Sequence, residues 1–406
     1  MSKIRTSILA GAAGAMLALG VFAGTAPQAA AEENFEWPQF FNVITPIVGT
    51  ANHSLAVAWT GEFTAQTGSR ARVLPAPNGF SRAAWLNQGE GRLVLVQASD
   101  YFDQMDARDG YATRDAGPTD TRLINMNAVT AWGYMVRGDS DIQSINDIGP
   151  GTRIAFSPSS SFLIAGIDAL LAYLDLSRDD VSLIEIGNFG ANTAVIPEGR
   201  ADVTFTSPLS GPSYEAEAGP NSIRWLALPR EEDDPEAYAR YRALHPGYVP
   251  AETTSGVTTA QGIWMDHAFQ ANHVAADEDP EFVYQLLKWM DEAHDTFKDD
   301  FTHAHMMNID NLVAFLDTGA LQPLHEGAIR YLDELGLWTE EYQTRQDQLV
   351  ELAQAQEAGY RAAIEAAEAQ GIAIDPENQA WLDFWRDFRA ENGLPASFGE
   401  AVLALN

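Results

Sequence analysis

The sequence predicts an α/β protein built from two units, and two patterns carry that expectation. Short apolar runs alternate with stretches of helical spacing through most of the chain. Several of the runs also end alike, in a small-polar turn followed by a helix, at residues 49, 99, 157 and 206. Strands that alternate with helices pair as parallel sheets. In open sheets of that kind ligands sit beyond the carboxyl ends of the strands. Two such sheets facing each other bring their turns to one cleft, which is the geometry of a clamshell binding protein.

The elements follow in order. Residues 42–48 read as a strand, 49–54 as a turn and 55–67 as a helix. Residues 70–74 are a second strand, followed by a Pro- and Gly-bearing turn over 75–79 and a short helix over 81–87. The apolar run 92–97 is a third strand, and it ends at a turn over 98–100. Residues 127–137 form another extended stretch, and 142–148 lead to a strand over 153–156. A serine-rich turn (Ser157, Ser159, Ser160, Ser161) then opens a helix over 162–171. The second unit continues with strands over 181–186, 201–206 and 223–228 and a helix over 191–198. Residues 229–260 read as a charged excursion rich in turn residues, and 262–265 as a short extended piece. An amphipathic helix spans 280–296, an Ala/Glu/Gln-rich helix spans 339–369, and a break over 371–376 precedes a last helix with Trp381, Phe384, Trp385 and Phe388. No internal repeat of solenoid period is present.

Composition sets further bounds. Lys3 and Arg5 precede an apolar run over residues 8–23, and Ala29, Ala30 and Ala31 offer a small-residue cleavage site. This is the pattern of a signal peptide over 1–31 and predicts export to the periplasm. The chain has no cysteine among its 406 residues, so no disulfide, thiol nucleophile, zinc–cysteine site or iron–sulfur cluster is available. Net charge is −33, and losing Lys3 and Arg5 takes it to −35. Binding duplex nucleic acid needs a basic surface, so that class is excluded. An anion site on so acidic a protein needs local N–H donors or arginine.

Three segments add a resemblance. Residues 141–148 (Asp-Ile-Gln-Ser-Ile-Asn-Asp-Ile) with 151–156 (Gly-Thr-Arg-Ile-Ala-Phe) are similar to the stretch "I-x-S-L-x-D-L-x-G-x-R-V" common to clamshell receptors. Residues 87–100 (Asn-Gln-Gly-Glu-Gly-Arg-Leu-Val-Leu-Val-Gln-Ala-Ser-Asp) resemble "L-x-x-G-E-A-D-L-A-L-V-Q-S-D". Residues 321–331 (Leu-Gln-Pro-Leu-His-Glu-Gly-Ala-Ile-Arg-Tyr) resemble "P-L-H-P-G-A-x-R-Y-Y". The last two are the more specific, and together they resemble the TAXI-type solute receptors of tripartite ATP-independent periplasmic (TRAP) transporters over about residues 42–338. The resemblance implies a type II-like two-lobe clamshell: lobe one 35–132 plus 262–338, lobe two 133–261, crossing segments near 132–137 and 256–263, and residues 339–406 as an added helical extension. It implies a small organic acid or amino acid ligand, such as glutamate, glutamine or 2-oxoglutarate. The implied partner is an ion-gradient-driven, sodium-type permease subunit, with the receptor a monomer and no cofactor. The first loop departs from the pattern: Gly-Thr-Ala-Asn-His-Ser-Leu over 49–55 stands where the family has a run of glycines.

The candidate ligand residues lie on the strand-end turns. Thr50, Asn52, His53 and Ser54 hold the first turn, where Asn and Ser serve a ligand or the turn itself. Asn78, Phe80, Ser81 and Arg82 follow the second strand, with Arg82 the candidate bidentate carboxylate clamp or one partner of a surface salt bridge. Gln97 and Ser99 end the apolar third strand, where a polar side chain needs a partner. Ser159, Ser160 and Ser161 sit at a helix start, which serves as a cap or as a seat for an anion. Thr206 and Ser207 close the opposite wall. Trp59 and Trp132 read as core or as pocket floor.

Rival classes are a clamshell receptor for another transporter or a membrane sensor, and a secreted metal-dependent hydrolase. The hydrolase reading rests on Asp299, Asp300, His303 and His305, whose offsets do not share one helix face. No nucleophile elbow, Walker loop or dinucleotide fingerprint is present, and residues 79–83 (Gly-Phe-Ser-Arg-Ala) miss the elbow by their last residue. The expected activity is therefore binding without catalysis.

Overall fold

The structure, a computed structural model, describes residues 35–48, 50–157, 160–187, 189–301, 303–319 and 321–405. The signal-peptide segment 1–31 and Ser159 lie outside the described residues.

In chain order the elements are β1 (Phe40–Thr45), α1 (Ala51–Thr67), β2 (Arg70–Pro75), α2 (Gly79–Asn87), β3 (Leu93–Gln97), α3 (Ala98–Asp106), β4 (Thr121–Arg137), β5 (Arg153–Phe156), α4 (Ser161–Tyr173), β6 (Ser182–Glu185), α5 (Phe189–Ala194), β7 (Val203–Thr206), α6 (Gly211–Glu217), β8 (Ile223–Leu226), α7 (Pro235–Leu244), β9 (Tyr248–Glu252), β10 (Trp264–Ala275), α8 (Pro280–Glu292), α9 (His294–Phe297), α10 (Ile309–Asp317), α11 (Glu326–Glu334), α12 (Glu340–Ala369), α13 (Gln379–Glu391) and α14 (Phe398–Ala404). The strand order is β2-β1-β3-β10-β4-β7-β5-β6, with β8 on β4 and β9 on β10.

Two parallel trios, β2-β1-β3 and β7-β5-β6, stand at the ends of this order. Between them β4 and β10 pair antiparallel from Asp266–Trp132 to Ala275–Thr121. β4 has 17 residues and serves both halves. Its early residues pair with β10, and Gly133, Tyr134, Met135 and Val136 pair with β7. β10 does the same, meeting β3 through residues 270–273 and β9 through residues 264–268. The α/β class holds, but the seam between the halves is antiparallel.

Three expectations are corrected here. The turn over 98–100 is the first turn of α3, because the chain passes from β3 into the helix with no loop between. The excursion 229–260 contains α7 and β9: Asp234 caps α7 by accepting from Ala237 N at 3.0 Å, and Pro235 holds its first helical position. The extended piece at 262–265 is the start of a 12-residue strand. Its polar residues Asp266, Gln270 and Asn272 hide it from hydropathy, yet all three are at least nine-tenths buried.

The polar residues of the seam satisfy one another. Asn272 Nδ2 donates to Asn125 Oδ1 at 2.9 Å and to Asn127 Oδ1 at 2.8 Å, and Asn127 Nδ2 donates back to Asn272 Oδ1 at 3.1 Å. Either side of the seam the cores are aromatic. Phe41, Trp59, Phe63 and Phe282 interlock edge-on over the first trio, which makes Trp59 a core residue. In the second half Phe205 stacks on Trp132 at 5.8 Å and lies tilted to Tyr134 at 5.1 Å.

The C-terminal helices close against the first half. Trp381 is fully buried and its Nε1 donates to Ala112 O at 2.9 Å, while Trp385 Nε1 donates to Asp106 O at 3.2 Å. α14 packs against both α3 and α7, so the end of the chain touches elements from both halves. Its first N–H groups are met by Asp106, whose Oδ1 accepts from Phe398 N at 2.7 Å. Among the described residues no helix is long and apolar enough to cross a membrane. Trp381→Ala removes a buried indole and one hydrogen bond, and the expected cost is about 3–5 kcal/mol in urea unfolding.

Candidate functional site

The turns after β1 and β2 are closed on themselves. Thr50 Oγ1 accepts from His53 N at 3.3 Å and donates to Ile47 O at 2.8 Å. His53 Nδ1 meets Thr45 Oγ1 at 3.0 Å, and Ser54 Oγ donates to Thr50 O at 3.2 Å. Asn52 is buried at the start of α1. Asn78 Oδ1 accepts from Ser81 N at 2.9 Å, and Phe80 stands edge-on to Tyr111 at 6.1 Å while remaining partly exposed. Thr50 and Asn78 thus act as helix caps.

Arg82 is not an open clamp. It is buried and ion-paired with Asp100 in the first turn of α3. A guanidinium out of water needs such a partner, and Asp100 lies too far along the chain for local spacing to reveal it. On the opposite wall Thr206 Oγ1 meets Thr193 Oγ1 at 2.7 Å, and Ser207 Oγ accepts from Leu209 N at 3.2 Å. Both hydroxyls therefore have protein partners.

Apart from the four-residue α9, two helix starts are different among the described residues. Among the described residues, α1, α2, α6–α8 and α10–α14 each have a preceding side chain that accepts from a first-turn N–H. α3 and α4 do not: neither Gln97 nor Ser160 caps the helix that follows it. Ser160 Oγ is buried without a partner. Ser161 opens α4. A helix start carries free N–H donors and the positive end of the dipole.

One row of side chains links these two starts. Gln97 pairs in register with Gln270, and Thr130 and Trp132 pair with Ala268 and Asp266. Paired residues and alternate residues share a sheet face, so Gln97, Gln270, Thr130 and Trp132 lie on one face. Gln270 Nε2 and Trp132 Nε1 both donate to Thr130 Oγ1, at 3.1 and 3.0 Å. The Trp132 ring then meets Phe162, in the first turn of α4, at 4.9 Å. α3 and α4 pack together. Gly247, in the turn before β9, lets that turn approach the start of α3, since a Cβ there would stand 2.8 Å from Ala98 C and O. Gln97 and Ser160 were legible as strand-end positions. Thr130 and Gln270 were not, although polar residues two apart in a buried strand would have been the signal.

On the same face, beyond Trp132, lies a buried polar cluster. Asp266 accepts from Tyr241 and meets His245 Nδ1 at 2.9 Å. The His245 ring stacks on Tyr248 at 3.6 Å. Burial lowers the His245 pKa despite Asp266. Burial raises Tyr248, whose hydroxyl lies beside Ser99 in α3. All of these side chains are buried, so the cluster supports the seam. Among the described residues no three His, Asp or Glu side chains are placed to hold a metal ion, and Asp299, Asp300 and His305 line an open surface hollow with Lys298. A larger groove of about 910 Å³ runs along α12 between Arg92, Arg114, Glu278 and Glu357, away from the strand-end turns.

Two parallel trios, crossed by two long strands with helix starts meeting at the seam, make up one mixed α/β sheet. The chain belongs to the NMT1-like family, whose model matches residues 55–336. Among solved structures it is similar to the periplasmic aliphatic sulphonate binding protein SsuA of Escherichia coli, at 15% identity over 90% of this chain and 92% of that one, TM-score 0.41. It is similar to a binding protein component of an ABC phosphonate transporter of Pseudomonas aeruginosa, at 12% identity over 80% and 99%, TM-score 0.43. It is also similar to the alkanesulfonate-binding protein SsuA of Xanthomonas axonopodis pv. citri bound to MOPS, at 17% identity over 85% and 98%, TM-score 0.37. Curated proteins return no match.

Two outcomes are expected. Arg82→Met leaves Asp100 buried without its cation and should cost about 3–5 kcal/mol in denaturant titration. Asp103, buried in α3, has its pKa pushed up to about 8 by burial, against the opposing pull of Arg108. Its native form holds a proton that the unfolded chain releases at the ordinary carboxyl pKa. Its contribution is full below that value and is lost as pH rises through about 8. The melting-point gain from Asp103→Asn should therefore be near zero at pH 4, widen with pH, and level off above pH 8.

Proposed function

We propose that this chain is an extracytoplasmic receptor that captures a small organic acid or amino acid between the starts of α3 and α4 and delivers it to a TRAP-type permease. It binds and releases, and it performs no chemistry. The observation that carries the reading is the absence of a side-chain cap on α3 and α4, the two helices that meet at the seam, where the other long helices are capped. On a protein of net charge −33, short-range N–H donors are what an anion needs. The lobes would be 35–132 with 262–338, and 133–261, closing by bending of β4 and β10. The signal-peptide pattern supports a periplasmic location, and the TAXI-like segments at 87–100 and 321–331 support an ion-driven permease as partner. Gln97, Ser160 and Ser161, with Asn52 and Ser99, remain the proposed contacts. Thr50, His53, Ser54, Asn78, Phe80, Ser81, Arg82, Thr206 and Ser207 frame them, and Ser159 belongs to the same turn.

Mass spectrometry of ligand released from natively purified protein tests this directly, and the expected species is a carboxylate or amino acid. In a thermal-shift screen, a matching compound at a hundred times its Kd adds about 2.7 kcal/mol of stability. A sugar or a bare cation in either assay overturns the anion reading. Uptake driven by ATP in place of an ion gradient would overturn the TRAP assignment and leave the receptor intact.

A further inference from the structure

Resting on the anion reading above, we propose that Gln270 reads a hydrogen-bond donor on the ligand. The receptor then selects acids that carry a hydroxyl or amino group and discriminates against their unsubstituted counterparts.

Three observations support this. Gln270 is 6% exposed, and its Oε1 is buried with no hydrogen-bond partner. A carbonyl oxygen can only accept, so a buried one is satisfied only by an arriving donor. The amide is also held in place: its Nε2 donates to Thr130 Oγ1 at 3.1 Å, and that oxygen is fixed in turn by Trp132 Nε1 at 3.0 Å. Two residues further along β10, Asn272 pairs with Asn125 and Asn127. The open amide therefore comes where the closed ladder ends.

Its position makes the open oxygen useful. Gln270 lies beside Gln97, the last residue before the uncapped α3. It shares a face with Trp132, which touches the first turn of the uncapped α4. The open acceptor thus sits on the strand that runs between the neighbours of the two helix starts. A carboxylate alone has only acceptors and gives Gln270 Oε1 nothing. A hydroxy acid or an amino acid supplies both the charge and the donor.

Calorimetry on the full chain with matched pairs tests this: lactate against propionate, malate against succinate, glutamate against glutarate. The hydroxyl- or amino-bearing member should bind about tenfold tighter or better in each pair whose size the site accepts. Gln270→Met keeps the length and removes the acceptor together with the Nε2 bond to Thr130, and it should erase that preference. Equal binding within pairs by the wild-type protein overturns the inference, and that comparison stands even if the variant does not fold. Survival of the preference in the variant also overturns it, as does preference for a 2-oxo acid, which offers Gln270 only a further acceptor. If no acid binds and a sugar or cation does, the anion reading falls first and takes this inference with it.

Discussion

The antiparallel pairing of β4 with β10 is the constraint on which the rest depends. Neither parallel trio reaches the other, and each joins the sheet through one of these two strands. The pairing also fixes which residues face the seam. The register Gln270–Gln97, Thr130–Ala268 and Trp132–Asp266 sets one polar row, and a slip of one residue would turn that row to the opposite face. Most polar side chains of these buried strands find partners: Asn125, Asn127 and Asn272 pair with one another, and Tyr241 and His245 both meet Asp266 Oδ2.

The same reasoning separates residues that hold the fold from residues that face a ligand. Thr50, Asn78, Arg82, Thr206 and Ser207 each have a protein partner. Ser160 and Gln270 each keep a buried polar atom with none. A hydroxyl or amide on a strand-end turn is thus not distinctive in itself. What distinguishes a position is whether the folded chain has already answered its hydrogen-bonding capacity.

Much of the fold was legible in the sequence because the trios are built from short apolar strands with small-polar ends. β1, β2, β3, β5, β6, β7 and β8 lie close to where their residue patterns put them. β10 was not legible past residue 265, since its polar ladder breaks the apolar run that marks a buried strand. α7 was obscured by the acidic residues 231–234, although Asp234 followed by Pro235 is a cap-and-start signal. At the site, the serine turn before α4 could be read as a helix start. The engagement of Arg82 by Asp100 could not, because it is a tertiary contact between separate helices. Gln270 was invisible for the reason that hid β10.

The asparagine ladder bears on how the two halves can move. Three amides joined across the strands act as a key in a slot: sliding β4 along β10 by even one residue breaks every one of these bonds in the interior. Shear is thereby closed off as a mode of motion, and flexure is left. Gly133 stands where β4 passes from β10 to β7, and it has no side chain to press on Met265, which a Cβ there would meet at 3.1 Å. The ladder thus works as a latch against sliding, while the strand crossing beside Trp132 is kept clear of side-chain crowding by a glycine.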